Sequence, residues 1–497
     1  MRDLVVALRK KNHSVYDIQR ELAADGISIS VNSLSVLLQE EGFARLPRRL
    51  DEERPDLLRP EMAATADVRE LSLSPRTIET RCAGLFLFVP LMRSIDLGKL
   101  AGDVSLPGSK MIPAEQVLRS LLALKFVGKE RKSHVMDLVF DEGIALFSGL
   151  NVVPKRSYLA AYSSRVDARH NARLMRTWFE AVRRAGLKTG STFHLDFHTI
   201  AFHGGDEFVE RHYVSRRSRR QKGILAFFAQ DVDHRVFCYA NADLRVSEQR
   251  DEILRFVEYW KKHTGRYPQE LVFDSQLTTY ENLSKLNELG IRFLTLRRRS
   301  KKMLDRLGAT PPTAWKRVTL RSLTRQYRTP RVLDESIQLK EYRGTLRQLS
   351  VVDLGHEEPT IVVTNHLTLT PATLITRYAQ RMLIENGLAD AVDFFHVDAL
   401  SSAVGLKVDF DLQITLMASC LYRMMGERIG RGYERAHARQ IFRKLLDVPG
   451  EIQIGDKDIV VSLAKHAHNP LLAASGLADK PTVMPWLGGR RLIIQIG

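Results

Sequence analysis

A chain of 497 residues, 44% hydrophobic and 27% charged, has room for several domains and a large buried core, and this composition excludes disorder as the default state. Lys and Arg number 75 against 58 for Asp and Glu, a formal charge of +17, which favours a polyanionic partner. Cys82, Cys238 and Cys420 form no CxxC pair, and the most apolar runs, "GLFLFVP" (84–90) and "ITLMASCLYRMM" (414–425), are shorter than the ~20 residues of a membrane helix.

A disulfide framework, a cysteine zinc site and a membrane partner are therefore not expected. The opening "MRDLVVALRKKN" has neither the apolar core nor the cleavage site of a signal peptide. A cytoplasmic location follows as the expectation.

Residues 1–48 read as a small helical unit. Leu4, Val5 and Leu8 stand at helical spacing, Ser14 is placed to cap "SVYDIQRELAADG", and "VNSLSVLLQEEG" forms a third short helix ahead of basic "FARLPRR". This outline is that of a DNA-binding helix-turn-helix, or of a plain three-helix cap. Residues 49–78 are charged, contain prolines and read as a linker. Residues 79–187 are mostly helical and read as a DNA-binding or dimerising segment.

The texture changes at "STFHLDFHTIAFHG" (191–204), a strand by its period-two pattern. Two more strands follow, then the helix "EQRDEILRFVEYWKKHTG", the strand "ELVFDSQ", the helix "TYENLSKLNELG" and the strand "IRFLTLRRR". That order predicts a ribonuclease H-like core over 188–309. Residues 310–372 read as a β-rich insertion, 373–430 as the second part of the core, and 431–497 as a C-terminal region. The expected fold class is multidomain α/β.

Acids fall at informative places in this order. Asp196 is in the middle of the first strand, Asp274 ends the fourth, and Glu385 lies on the helix after the insertion. An unpaired carboxylate in a buried strand is costly, so Asp196 needs a partner. First and fourth strands are neighbours in such a sheet, so Asp196 and Asp274 should converge, with Glu385 brought over them by its helix. Three clustered carboxylates call for divalent cations, and two such ions ~4 Å apart serve phosphoryl transfer. Tyr378, Arg381 and Glu385 share one helix face, which suits a grip on DNA phosphate. Standing alone, the same spacing would more often mean a core tyrosine and an arginine that merely neutralises its glutamate.

"YAQRMLIE" after a β-rich insertion, with "HLDFHTI" and "VFDSQLTTYENLSKLNELGIRFLTLRRR" upstream, resembles the DDE-type transposases of bacterial insertion sequences. The similarity is to the cut-and-paste branch with a β-strand insertion, and it covers roughly residues 188–430. The resemblance implies that Asp196, Asp274 and Glu385 are the catalytic, metal-binding triad. It also implies two Mg²⁺ ions per site, with Mn²⁺ able to substitute. Tyr378 and Arg381 would contact the DNA strand near the cut. Implied partners are double-stranded DNA, as terminal inverted repeats and as target, and a second copy of the chain in a paired-end complex. The setting implied is a bacterial cytoplasm, at the nucleoid when bound. A regulator derived from a transposase and a nuclease that never joins strands are the alternatives.

Two features depart from that branch. Val392 stands where a lysine is usual, and Asn386-Gly387 weakens the helix after Glu385, which leaves Asp390 and Asp393 as reserve acids. His194, Asp196 and His198 alternate on one strand face, so a zinc site completed by His203 or His212 is a competing reading. The runs "RRSRRQK" (Arg216, Arg217, Arg219, Arg220, Lys222) and "RRRSKK" (Arg297, Arg298, Arg299) flank the core strands and are candidates for DNA-backbone contacts. The nine Lys/Arg against three Asp/Glu over 316–347 extend that expectation to the insertion.

Overall fold

The structure is a computed structural model that describes residues 1–497 apart from 12, 45, 47–70, 203–209, 215–218, 276, 322–327, 356 and 400–404. It divides into a small unit holding the N-terminal helices and a large unit holding the described residues from Leu71 onward.

The small unit consists of α1 (Arg2–Lys10), α2 (Val15–Ala24) and α3 (Val31–Glu40). Val5, Ile18, Leu22, Leu34 and Leu38 are buried together, one or two from each helix, because each helix is apolar on a single stripe. Ser14 and Asp17 form a reciprocal capping box that starts α2, and Ser30 caps α3.

The large unit begins with β1 (Arg76–Thr80), at the join of the expected linker and helical segment. The helices α4 (Val89–Arg93), α5 (Leu97–Val104), α6 (Ala114–Phe126), α7 (Glu142–Ser148), α8 (Arg156–Tyr162) and α9 (Ala168–Arg184) follow. Next come β2 (Thr192–Ala201), β3 (Arg211–Val214), β4 (Arg219–Asp231) and β5 (Phe237–Asn241). The chain then alternates through α10 (Glu252–Thr264), β6 (Glu270–Phe273), α11 (Tyr280–Glu288), β7 (Arg292–Leu296) and α12 (Lys301–Gly308). The segment expected as an insertion supplies β8 (Lys316–Arg317), β9 (Arg331–Ile337), β10 (Leu346–Val352) and β11 (Thr360–Thr364).

Among the described residues these strands form one ten-stranded sheet in the order β3-β4-β2-β6-β7-β11-β10-β9-β8, with β5 also paired to β4. β2, β6 and β7 are parallel, β6 reaching β7 through α11, while β4 and β11 run antiparallel to their inner neighbours. The segment 310–372 therefore extends the sheet from β7 outward. One face of the sheet receives α10, whose Phe256 and Trp260 close on Phe193 of β2 at ring separations of 5.1 and 4.4 Å. Each such ring removes a large apolar area from water, worth ~2–3 kcal/mol apiece.

On the other face lie α13 (Pro371–Gln380) and α14 (Met382–Asp393), joined at Arg381. Thr370 caps the first of these and Pro371 occupies its opening turn, where a missing N–H costs nothing. The long α15 (Gly405–Ile429) packs on α6, α9 and β5, and its Tyr422 hydroxyl donates to the Phe126 carbonyl at 2.5 Å. It leads to the single turn α16 (Ala438–Ile441) and a π-helical turn at Phe442–Leu446.

A second sheet, in the order β1-β12-β13-β15-β14, is completed by β12 (Gly450–Ile454), β13 (Asp458–Leu463), β14 (Thr482–Met484) and β15 (Arg490–Ile496), with α17 (Asn469–Ala474) between its strands. Antiparallel pairing of β1 with β12 ties the start of the large unit to its end. No helix among the described residues is long and apolar enough to cross a membrane.

Candidate active site

Alternation along β2 sets the site. Phe193 and Leu195 point into the main core and are fully buried, so Thr192, His194, Asp196 and His198 take the opposite face, beneath α13 and α14. The parallel register pairs Thr192 with Glu270, His194 with Val272 and Leu195 with Phe273. Continued by one residue, it sets Asp196 beside Asp274, one strand spacing of ~4.8 Å away. Asp274 sits just past the end of β6, where its carboxylate accepts the backbone N–H of Ser275.

Arg381 joins this strand pair to the helices. One guanidinium nitrogen lies 3.2 Å from Asp196 Oδ2 and another 2.9 Å from Glu385 Oε1. The Asp196 side chain is 22% exposed and that of Glu385 50%, so the bridge runs from the sheet out towards solvent. Asp196 also accepts the Phe197 backbone N–H at 2.9 Å. Burial raises the Asp196 carboxyl above its ordinary range, and the charges of Glu385 and Asp274 add to this, against Arg381 and the Phe197 N–H. Burial alone would make Arg381 less basic, but Tyr378, Asp196, Glu385 and Asp274 together make it more so.

Tyr378, one turn before Arg381, has its ring centroid 6.0 Å from the guanidinium carbon. Its phenol is pushed up to about 12, by burial first and by the Asp274 and Asp196 charges, with Arg381 opposing. It is therefore a neutral donor at physiological pH. Asn386 and Gly387 do not end α14, which runs on to Asp393. A Cβ at position 387 would come within 2.4 Å of Gln230 Nε2 and 3.1 Å of Phe237, so glycine allows α14 its close approach to the sheet. Asp390 accepts the Ala438 backbone N–H at 2.8 Å and so anchors the start of α16.

The histidines turn elsewhere. His198 Nε2 is 2.6 Å from Asp398 Oδ1, and His212 Nε2 faces Glu210 at 3.9 Å. His194 is 1% exposed and pushed down to about 4, by burial first and by the Arg381 charge; its Nδ1 has no hydrogen-bond partner among the described residues. His203 lies outside the described residues. Among those that are described, no three His, Cys, Asp or Glu side chains converge closely enough to hold a metal ion as they stand. The counter-charge between Asp196 and Glu385 is the Arg381 guanidinium. The donors at hand, Asp196, Asp274 and Glu385, are all carboxylate oxygens, the chemistry of a hard divalent cation rather than of zinc bound by nitrogen and sulfur.

Of the two basic runs, Arg216 and Arg217 lie outside the described residues. Arg219, Arg220 and Lys222 lie on β4, and Arg220 is exposed. Arg297 donates to Gln348 at 2.7 Å and Arg299 pairs with Glu358 at 2.8 Å, while Arg298 is exposed.

One cluster beside the carboxylates had no forecast in the sequence. Glu270, at the start of β6 and on the Asp274 face, has a side chain only 6% exposed; its Oε2 lies 2.6 Å from Arg377 Nη1 and 2.5 Å from His366 Nε2. Burial works against its ionisation, but the bonds from His366 and Arg377 outweigh burial and hold the carboxyl below its ordinary value. Arg377 precedes Arg381 by one turn of α13, so the cluster pins that helix to β6. The only local signal was that spacing of two arginines.

Residues 190–421, from just before β2 into α15, match a family model described as the transposase DDE domain. This segment belongs to the DDE transposase family. The match contains Asp196, Asp274, Tyr378, Arg381 and Glu385. Among solved structures, the piggyBac transposase synaptic complex with hairpin DNA, determined by cryo-EM, is similar to this chain over 77% of this chain's length and 82% of its own, at 11% identity and a TM-score of 0.39. No curated protein matches the chain.

Proposed function

We propose that this chain is a DDE transposase that cuts DNA at the terminal inverted repeats of an insertion sequence and joins the resulting 3′-hydroxyl ends to target DNA. The observation that carries the reading is the Arg381 bridge from Asp196 to Glu385 beside Asp274. The strand neighbours β5-β4-β2-β6-β7, with Asp196 and Asp274 on one face, support a ribonuclease H-like core.

Asp196, Asp274 and Glu385 would hold two divalent cations, Mg²⁺ by the oxygen-only donor set. Bound there, such ions supply activation of the attacking oxygen and charge relief for the leaving one. The chain's own groups do the positioning. Arg381 has two N–H edges suited to a phosphodiester, and its carboxylate bonds fix their direction. Tyr378 offers a neutral hydroxyl to the same strand. In cleavage, water oxygen bonds to phosphorus, the P–O3′ bond breaks, and the 3′-oxygen leaves as a hydroxyl. In joining, that hydroxyl attacks a target phosphate, and the broken bond leaves a new 3′-hydroxyl on the target.

The N-terminal unit fits a helix-turn-helix, with Asn32, Ser33, Val36 and Gln39 on the exposed face of α3 as the base-reading side. Two copies would pair the ends. Of the basic runs, Arg220, Lys222 and Arg298 suit the DNA backbone, and Arg216, Arg217 and Arg219 extend the first of them.

The test uses a labelled duplex carrying the element's end with Mg²⁺ or Mn²⁺. Asp196→Ala, Asp274→Ala and Glu385→Gln should each abolish cutting and leave end binding within a few-fold of wild type. Tight binding without cutting by the wild type would point instead to a regulator, and cutting without strand transfer to a nuclease.

A further inference from the structure

Beyond Glu385, α14 carries the acids Asp390 and Asp393 and has no lysine or arginine along its whole length. A DNA backbone leaving the carboxylates along this helix would meet only negative charge unless another element supplied cations. A groove of 760 Å³ lies along that stretch of α14. Asn386, Ala389, Asp390 and Asp393 form one wall, and Arg439, Gln440, Arg443 and Lys444 stand on the other.

The second wall is built onto the first. The Ala438 N–H bond to Asp390 fixes the start of α16 to α14 five positions after Glu385, and buried Ile441, Leu445 and Leu446 hold the turn from behind. Arg439 and Arg443, one turn apart, are exposed and form no ion pair with an acid among the described residues. Two exposed arginines on one wall of a concave surface, neither paired with an acid among the described residues, leave room for an anion. The π-helical turn at Phe442–Leu446, a feature often found at functional sites, carries Arg443 and Lys444 on the groove side.

We infer that the groove between α14 and the α16 turn binds the phosphodiester backbone of DNA running on from the active site, with Arg439 and Arg443 as its phosphate contacts. The inference rests on the transposase reading above and gives it a substrate path. It assigns the cations that α14 itself lacks to residues outside the segment matched by the DDE family model.

The experiment measures the affinity of the full-length protein for a 30-base-pair duplex across a salt series, without divalent metal. Each phosphate contact contributes ~0.9 to the slope of log K against log salt. Arg439→Ala with Arg443→Ala should flatten the slope by ~2 and weaken binding ~10-fold or more at low salt, with the melting temperature unchanged. Arg439→Lys with Arg443→Lys should restore the slope. An unchanged slope in a folded alanine variant would overturn the inference while leaving the transposase reading intact. A melting temperature lowered in the alanine variant, with the slope unchanged, would also overturn it, by making the arginines structural partners of α14. Failure of the wild type to bind DNA would instead bring down the reading on which the inference stands.

Discussion

Replacing Glu270 by alanine tests the claim that α13 is pinned to β6 from beneath. The carboxylate is nearly out of water and takes two short bonds, from His366 and from Arg377. Breaking a fully buried ion pair costs about 3–5 kcal/mol, because the orphaned partner stays desolvated. Arg377 is 41% exposed and can recover water, which lowers the figure to ~2–4 kcal/mol. For a chain of this size that is a fall in melting temperature of roughly 2–4 °C at neutral pH. The pH dependence has a definite sign. The folded-state carboxyl is held below its ordinary 4.5, so its stabilisation is complete above that value and is lost as pH falls through the folded one. Thermal melts of wild type and Glu270→Ala from pH 7.5 downwards should therefore converge on acidification. Cleavage should fall while DNA binding holds, because the helix that loosens carries Tyr378 and Arg381. An equal melting temperature at pH 7.5, or a gap that stays constant into acid, would refute the reasoning.

Two further outcomes follow from close packing. Gly387→Ala should destabilise by ~1–3 kcal/mol in urea unfolding, because its methyl group meets buried Gln230 and Phe237, and cleavage should drop as α14 is lifted from the sheet; full stability and activity would mean that α14 is free to shift. Asp409, at the buried side of α15, accepts the Ala242 N–H at 2.9 Å and Gln413 Nε2 at 3.3 Å, and burial above all pushes its carboxyl up to about 7. The folded chain keeps this proton up to about 7 while the unfolded chain gives it up near 3.8, so stability falls as pH rises across that interval. At ~1.4 kcal/mol per pH unit the loss has an upper figure of ~4 kcal/mol, and Asp409→Asn should flatten it; curves that run parallel from pH 4 to 7.5 would show that Asp409 does not titrate there.

How far the site could be read in advance depends on the range of each interaction. Period-two alternation gave the face of Asp196, and the pairing of Arg381 with Glu385 at i, i+4 is a local matter of helix geometry. The order of strands and helices is enough to make β2 and β6 neighbours. The extension of the sheet through β8–β11 was not legible, because the pairing of β11 with β7 closes over more than sixty residues and alternation does not say which edge a strand will join. The pairing of β1 with β12 closes over most of the chain and was hidden for the same reason. Gly387 read as a helix breaker, since the propensity that marks it is local while the Gln230 contact that requires it is not. Asp196 and Glu270 make the sharpest contrast. Both are acids on one face of adjacent buried strands, and both are held by arginines of the α13–α14 junction. Asp196 was conspicuous because it interrupts an apolar strand at its middle. Glu270 stands at the first position of "ELVF", where a charged residue is ordinary because strand ends usually reach solvent. Its burial comes from His366 and Arg377, roughly a hundred residues later, folding over the sheet edge. An acid is anomalous in sequence only when its neighbours along the chain are apolar. Glu270 is anomalous only in three dimensions, and there it holds in place the helix that lays Arg381 across Asp196 and Glu385.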